Sequence, residues 1–235
     1  MPTQGERSEA TRTKLLAVAR KLFRARGYAD TSLDDIAARA GVTKGAFYHH
    51  FEDKKAIFTA VFEEAEQQLV EAAAAGGRGG DVWSRFRAGC RAFLEASMDP
   101  GIQRVALRDA PVVLGWEVWR EIAARHSLGV IEAGLTGAMA TGQVRSRPTK
   151  PLARLLFGAL CEGARMVARA TGPREALAEV VREIDDLLAG MLIQPGATRG
   201  SGTDQSVTPG DQGGGEPPVP SSRPRHRRAA GLSSN

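Results

Sequence analysis

The stretch Thr31 to Phe51, TSLDDIAARAGVTKGAFYHHF, constrains this chain more than any other, because it spells two short helices with a fixed break between them. Leu33, Ile36, Ala37 and Ala40 recur at helical spacing behind Thr31 and Ser32, either of whose hydroxyls can cap the first turn, and this predicts a helix over 33–40. Gly41 ends it, and Thr43 caps a second helix from Lys44 to about His50. A three-residue link, Gly41-Val42-Thr43, between two such helices is the sequence form of a helix-turn-helix, a unit that lays its second helix in the major groove of DNA. Phe47 and Phe51, one turn apart, point inward and leave Lys44, Gly45, Ala46, Tyr48 and His49 facing out.

Two helices this short need a third to cover their inner faces. Thr11 can cap a helix running to about Arg26 and ended by Gly27, with Leu15, Leu16, Ala19, Leu22 and Phe23 as its apolar stripe; residues 1–10 are polar and expected to be disordered. Arg12, Lys14, Arg20, Lys21, Arg24 and Arg26 ride on its other faces, where a solvated surface accounts for most of them. The segment TRTKLLAVARKLFRARGY, residues 11 to 28, together with Thr31 to Phe51 and the following EDKKAIF, resembles the DNA-binding domain of TetR-family transcriptional repressors over roughly the first quarter of the chain. The resemblance implies an all-α homodimer. Its N-terminal three-helix domain, residues 11–53, would bind a palindromic operator, and a C-terminal helical domain would bind a small effector that releases the DNA.

The residues support DNA contact independently. The N-terminal ends of the two short helices, with the hydroxyls of Thr31, Ser32 and Thr43 beside free backbone N–H groups, suit phosphate oxygens. Lys44 is placed to reach a base edge, guanine by preference, with Gly45 leaving room and Ala46 able to touch a thymine methyl. By resemblance, Tyr48, His49 and Lys54 would hold the backbone on either side of the groove; Tyr48 also fits a core ring with an exposed hydroxyl. Charge points the same way: the chain carries +5, of which residues 1–60 hold +4, residues 196–235 hold +2 and the middle a slight negative balance.

Asp53 or Glu52 opens a helix over 54–75 whose stripe, Ile57, Val61, Phe62, Ala65 and Leu69, is longer than the small domain can cover, so the helix docks on the next domain as a connector. It is the only long element the two domains share, and an effector signal is expected to travel through it or through a subunit interface. GGRGG at 76–80 reads as a linker, since it follows a helix and lacks the Lys-Ser/Thr ending of a phosphate-binding loop.

Residues 81–193 show five helical patterns and no alternating strand. They run over Val82–Met98, over Ile102–Arg108, from about Pro111 or Leu114 to Thr141, from a Thr149 cap to about Ala170, and over Arg174–Leu192, with Asp109-Ala110-Pro111 as an interruption. Trp83, Phe86, Phe93, Trp116 and Trp119, with Met98 and His126 among them, either line an apolar effector pocket with one polar contact or form plain core. The penultimate helix is apolar nearly all round and expects neighbours on two sides. With too few other helices in one chain to supply both, the expected answer is a four-helix interface with a second copy, through Leu156, Ala159, Gly163, Val167, Leu177, Val181, Ile184 and Leu188.

Other chemistry finds little footing. His49, His50, His126 and His226 have no metal-ligand spacing, and no nucleophile elbow, Walker loop or dinucleotide fingerprint occurs, so no metal, cofactor or catalytic residue is expected. Cys90 and Cys161 lie within apolar helical patterns and read as buried small hydrophobes; a redox sensor would need a depressed thiol pKa. Without a leader-like or membrane-length apolar run the chain is expected in the cytoplasm. Residues 196–235, rich in Gly, Pro and Ser, are expected to stay unfolded, with RPRHRR at 223–228 as a solvated tail or an added phosphate attraction. The expected partners are double-stranded operator DNA, an unknown small effector and a second copy of the chain. The rival readings are an activator, a ligand-independent architectural factor and a helical enzyme.

Overall fold

The computed structural model describes residues 3–193, so the expectation for residues 196–235 lies outside them. The described chain runs α1 (Gln4–Arg26), α2 (Leu33–Ala40), α3 (Lys44–His50), α4 (Lys54–Gly76), α5 (Val82–Ala96), α6 (Pro100–Ile102), a π-helix (Gln103–Asp109), α7 (Ala110–Leu114), α8 (Trp116–Ala140), α9 (Thr149–Arg169) and α10 (Pro173–Ala189). Among the described residues there is no strand, only an isolated antiparallel bridge between Val144 and Leu192.

The helix starts follow local chemistry. Ser32, Thr43 and Asp53 cap α2, α3 and α4, each accepting a backbone N–H three residues on, and Gly41 ends α2 with a left-handed φ of 64°. Helix α1 begins earlier than Thr11. The Thr3 hydroxyl accepts from the Glu6 N–H while the Glu6 carboxylate accepts from the Thr3 N–H at 2.6 Å, a capping box that extends the helix through residues expected to be disordered. Thr11 lies inside it, with its hydroxyl donated to the Arg7 carbonyl. Thr149 likewise makes no capping bond, and α9 starts there behind Pro148.

Leu15, Ala19 and Phe23 of α1, Ile36 and Ala40 of α2, and Phe47 and Phe51 close the small N-terminal core. Helix α4 plugs into it through Phe58, whose ring meets Phe23 and Tyr28 edge-on at 5.1 and 5.0 Å. Lys54, expected on the DNA, is turned inward at the start of α4. Its ammonium donates to the carbonyls of Tyr28 and Thr31 at 3.0 and 3.1 Å and lies 4.1 Å from the centre of the Tyr28 ring, fastening the 27–31 turn to α4.

Further along, α4 also buries Val61, Phe62, Ala65 and Leu69, with Val61 and Ala65 between Arg20 and Arg24 of α1 and Ile102 and Val105 of the body. Gly89 of α5 faces it so closely that a Cβ there would stand 3.0 Å from the Ala73 carbonyl. Asp109-Ala110-Pro111 does not interrupt the chain as expected. Helix α6, the π-helix and α7 run on to Leu114, and the break falls at Gly115, at a φ of 85° that favours glycine. Pro111 is tolerated because it sits in the first turn of α7, behind a widened turn in which the Ala110 N–H already reaches the Val105 carbonyl.

The π-helix forms a second joint to the small domain, where the sequence offered only α4. Arg104 donates to the carbonyls of Arg24 and Ala25 at the end of α1, Asp109 accepts the Tyr28 N–H at 2.7 Å, and Arg24 pairs with Asp99 at 2.6 Å.

Helix α9 finds both of its neighbours in its own chain, with α8 on one side and α5 and α10 on the other. Gly163 leaves the space that Val180 fills, since a Cβ would stand 2.7 Å from a Val180 methyl. Leu156, Gly163, Val167, Ile184 and Leu188, assigned from the sequence to a subunit interface, are therefore core residues of this chain. Ala159, Leu177 and Val181 are half-buried, and the apolar side chains facing outward are Leu155, Met166 and Leu187, at 73%, 56% and 60% exposure.

In mid-α4, Glu66 is 4% exposed, and burial pushes its carboxyl from 4.5 up to about 8. Between those values the folded chain holds a proton that the unfolded chain has released, so stability falls as pH rises through that window and levels off above it. Glu66→Gln removes this dependence, and its melting temperature should exceed the wild type's by a margin that grows from pH ~5 to ~9; a constant margin in thermal melts would contradict a protonated Glu66. Lys54→Met should cost roughly 1–3 kcal/mol in urea unfolding. An unchanged midpoint with lost DNA affinity would return Lys54 to the DNA surface.

Candidate DNA-binding and effector sites

Helix α3 packs through Phe47, which is buried, and shows the opposite face to solvent. Tyr48 is 48% exposed, its ring edge-on to Phe47 at 5.7 Å, so it serves the core with one side and leaves the rest accessible. Gly45 and His49 are exposed and Ala46 partly so. The hydroxyls of Ser32 and Thr43 lie exposed at the starts of α2 and α3, accepting from the N–H groups of Asp35 and Ala46 at 3.0 and 3.1 Å. Each keeps its own O–H proton free for an acceptor such as a phosphate oxygen. Thr31 does not join them. It is 1% exposed and donates its hydroxyl to the Gly27 carbonyl at 2.8 Å, which makes it a brace of the turn after α1.

Lys44 projects from the first turn of α3 and pairs with Asp34 of α2 at 2.9 Å, and this hydrogen bond, then the charge, raises its pKa. The ammonium is thus held in place on the exposed face, and a base edge would have to take it from Asp34. Arg12 adds a charge the sequence left on a solvated face: its guanidinium lies 5.4 Å from the centre of the Phe51 ring, beside the end of α3.

The body holds a cavity of about 300 Å³ bounded by α4, α5, α8 and α9. Of the aromatic residues expected there, Phe86 and Phe93 line it, joined by Phe157. Trp83 is buried one layer behind, stacked on Phe86 at 5.6 Å. Trp119 is core: it sits two turns before Ser127 on α8 and donates its indole N–H to the Ala106 carbonyl of the π-helix at 2.8 Å. Trp116 is half exposed, tilted on Trp119 at 4.7 Å with the Arg165 guanidinium 4.8 Å from its ring centre. Met98 and His126 do not line the cavity either. Helical spacing shows which residues share a stripe, but not which length of the stripe meets a void.

Sequence reasoning missed Ser127, Cys90 and Arg85, which all line the cavity. The Ser127 hydroxyl is buried and has no hydrogen-bond partner among the described residues, and its signal in the sequence was a lone Ser on the apolar stripe of α8. The Cys90 thiol is pushed up to about 12, by burial first and the Asp185 carboxylate second, and burial raises Cys161 as well. Both are thus protonated, the opposite of the depressed thiol a redox sensor uses. Arg85 is exposed and donates to the Gly80 carbonyl at 2.8 Å.

Among the described residues no cluster of His, Cys, Asp and Glu could hold a metal ion, and no helix is long and apolar enough to cross a membrane. Residues 15–61 match the family of bacterial regulatory proteins of the tetR type, and residues 83–191 match the tetracyclin repressor-like C-terminal domain. The chain is similar to the transposon Tn10 TetC protein of Escherichia coli, 29% identical over 158 residues that make up 66% of this chain and 79% of TetC. It is similar to the HTH-type transcriptional regulator AcrR of Shigella flexneri over 66 residues at 42% identity, 28% of this chain and 31% of AcrR. The crystal structure of a TetR-family transcriptional regulator from Pectobacterium atrosepticum superposes with a TM-score of 0.74 at 40% identity, covering 83% of this chain and 100% of that one. With the helix-turn-helix at one end of α4 and the helical body at the other, the chain belongs to the TetR family of DNA-binding transcriptional regulators, which are not enzymes.

Proposed function

We propose that the protein is a repressor that binds a palindromic operator as a homodimer and leaves it when a small molecule enters the cavity. One observation carries this reading: α4 forms a wall of the cavity with Val70 and Ala73 and inserts Ile57 and Phe58 into the DNA-binding core. Ile57 and Ala73 lie about 24 Å apart along the helix, so a tilt of about 5° imposed at the cavity displaces the small domain by about 2 Å. In a dimer the two recognition helices must meet successive major grooves together, and displacements of this size in both subunits spoil the match. The effector and operator then act through two global states.

Lys44 reads a base edge after exchanging Asp34 for guanine, and Ala46 meets a thymine methyl. Ser32, Thr43, Tyr48 and His49 hold phosphates, with Gly45 giving clearance. The subunit interface runs along the outward stripe of α9, Leu155, Ala159 and Met166, with Leu187 of α10 beside it. Leu155, Met166 and Leu187 are exposed and Ala159 is half-buried between them, an apolar surface that a second copy would cover.

The test is titration of the protein onto its own upstream DNA, with and without metabolite extracts. Specific binding lost on adding an extract supports the proposal, and binding indifferent to both sequence and extract overturns it. Lys44→Ala should cost roughly 1–3 kcal/mol on the matched operator and relax discrimination at one position, while Tyr48→Ala should weaken all sequences alike; equal weakening everywhere by Lys44→Ala would remove its base-reading role. Leu155→Glu with Leu187→Glu should yield folded monomers in sedimentation. Ile184→Glu with Leu188→Glu should instead unfold the body, because both carboxylates would be buried unpaired. A stable Leu155→Glu/Leu187→Glu dimer would place the interface elsewhere.

A further inference from the structure

We infer that the cavity takes an uncharged, flat aromatic molecule of about two rings that carries a single hydroxyl or carbonyl group, held by a hydrogen bond to Ser127. This rests on the effector-released reading above and adds the chemical class of the effector.

Size comes first. An apolar cavity of about 150 Å³ lined by Leu, Ile and Phe holds benzene. The cavity here, at about 300 Å³, has room for roughly twice that. Phe86, Phe93 and Phe157 supply aromatic walls, and Gly134 on α8 keeps one of them in place: a Cβ at 134 would stand 2.3 Å from the Phe86 ring, so any larger residue would push that ring aside. Aromatic side chains prefer offset or edge-on partners to irregular aliphatic ones of equal area, which favours a rigid ring system over a flexible chain.

Polarity then narrows the class. Among the described residues the lining holds no carboxylate, histidine or lysine, and its thiol, Cys90, is protonated. An ionised group in the interior would lie unpaired among hydrocarbon walls. Arg85 is the one cation of the lining among the described residues, but it is exposed and its guanidinium already donates to the Gly80 carbonyl, so it marks the rim rather than the interior. Ser127 is different: 5% exposed, without a partner among the described residues, and on the cavity wall. A buried hydroxyl left unpaired is costly, and it both donates and accepts, so it selects a ligand with one hydroxyl or carbonyl at the matching position.

The experiment uses the full chain and three probes of one ring system, naphthalene, naphthol and naphthoate, titrated by calorimetry at neutral pH, where naphthol is uncharged and naphthoate anionic. Naphthol should bind tightest, with Ser127→Ala weakening it roughly two- to tenfold while leaving naphthalene unchanged. Ala74→Trp, at an exposed position of the lining, should abolish both without unfolding the protein. Naphthoate binding tightest and depending on Arg85 would overturn the inference, as would Ser127→Ala with unchanged naphthol affinity, or no binding of any probe to the folded wild type. Operator binding followed in the same samples separates the two readings. Naphthol bound through Ser127 while the operator stays fully occupied would sink the release mechanism and leave the ligand class standing.

Discussion

Everything in this molecule depends on α4 being buried on both sides. Phe58 packs on Phe23 of α1, Val61 and Ala65 border Arg20 and Arg24 of α1 as well as Ile102 and Val105 of the body, and Ile57, Phe62 and Leu69 are buried along the same helix, so α4 belongs to both cores. Burying a Val, Ile, Leu or Phe side chain contributes roughly 1.5–3 kcal/mol, and five such side chains along one rod make independent motion of the two domains expensive. A carboxyl at the middle of the helix, Glu66, is accommodated because burial keeps it protonated rather than charged.

A rod fixed at one point would still pivot freely, and the joint between α1 and the π-helix limits that freedom. Arg104 sits on the last carbonyls of α1, where the helix dipole favours a cation, and Asp109 takes the Tyr28 N–H in the turn that follows. The wide turns of the π-helix bring these two side chains to the same end of α1, five residues apart, while letting Pro111 follow without a broken bond. The body and the helix-turn-helix are therefore joined by two physical routes, α4 and the contacts of the π-helix. Lys54 and Tyr28 tie them together, because Lys54 opens α4 and Tyr28 accepts from it while donating to Asp109.

The body owes its shape to small residues as much as to large ones. Gly89 lets α5 approach α4, and Gly163 admits Val180, which draws α10 onto α9 and leaves Arg87 and Arg91 of α5 to grip Asp185 of α10 at 2.9 and 2.8 Å. The same close packing explains why the cavity lies where it does. Gly134 gives its space to the Phe86 ring and Gly89 to the Ala73 carbonyl, which sets one aromatic wall and the spacing of α4 and α5 around the cavity that Phe86, Phe93 and Phe157 border.

Local chemistry made the N-terminal domain legible in the sequence. A cap, an apolar stripe and a left-handed glycine within a few residues of one another specify α2, the turn and α3, and these sit where Ser32, Gly41 and Thr43 place them. Periodicity also identified α4 as a helix too long for one domain. What the sequence left open was always a matter of which surface met which. Thr31 and Ser32 are both fit to cap a helix, and only the fold put one in the core and the other at the surface. Trp119 and Phe86 are both aromatic residues on amphipathic helices, yet one fills a gap beside the π-helix and the other borders a void. The seam Ile184 and Leu188 is as apolar as an interface needs to be, and its assignment to the core was settled by α9 folding back on α10 and by α5 arriving from far along the chain. A stripe of side chains records that a helix face is buried, because burial acts on each residue alone. The identity of the burying partner depends on contacts between distant segments, and that only the tertiary structure decides.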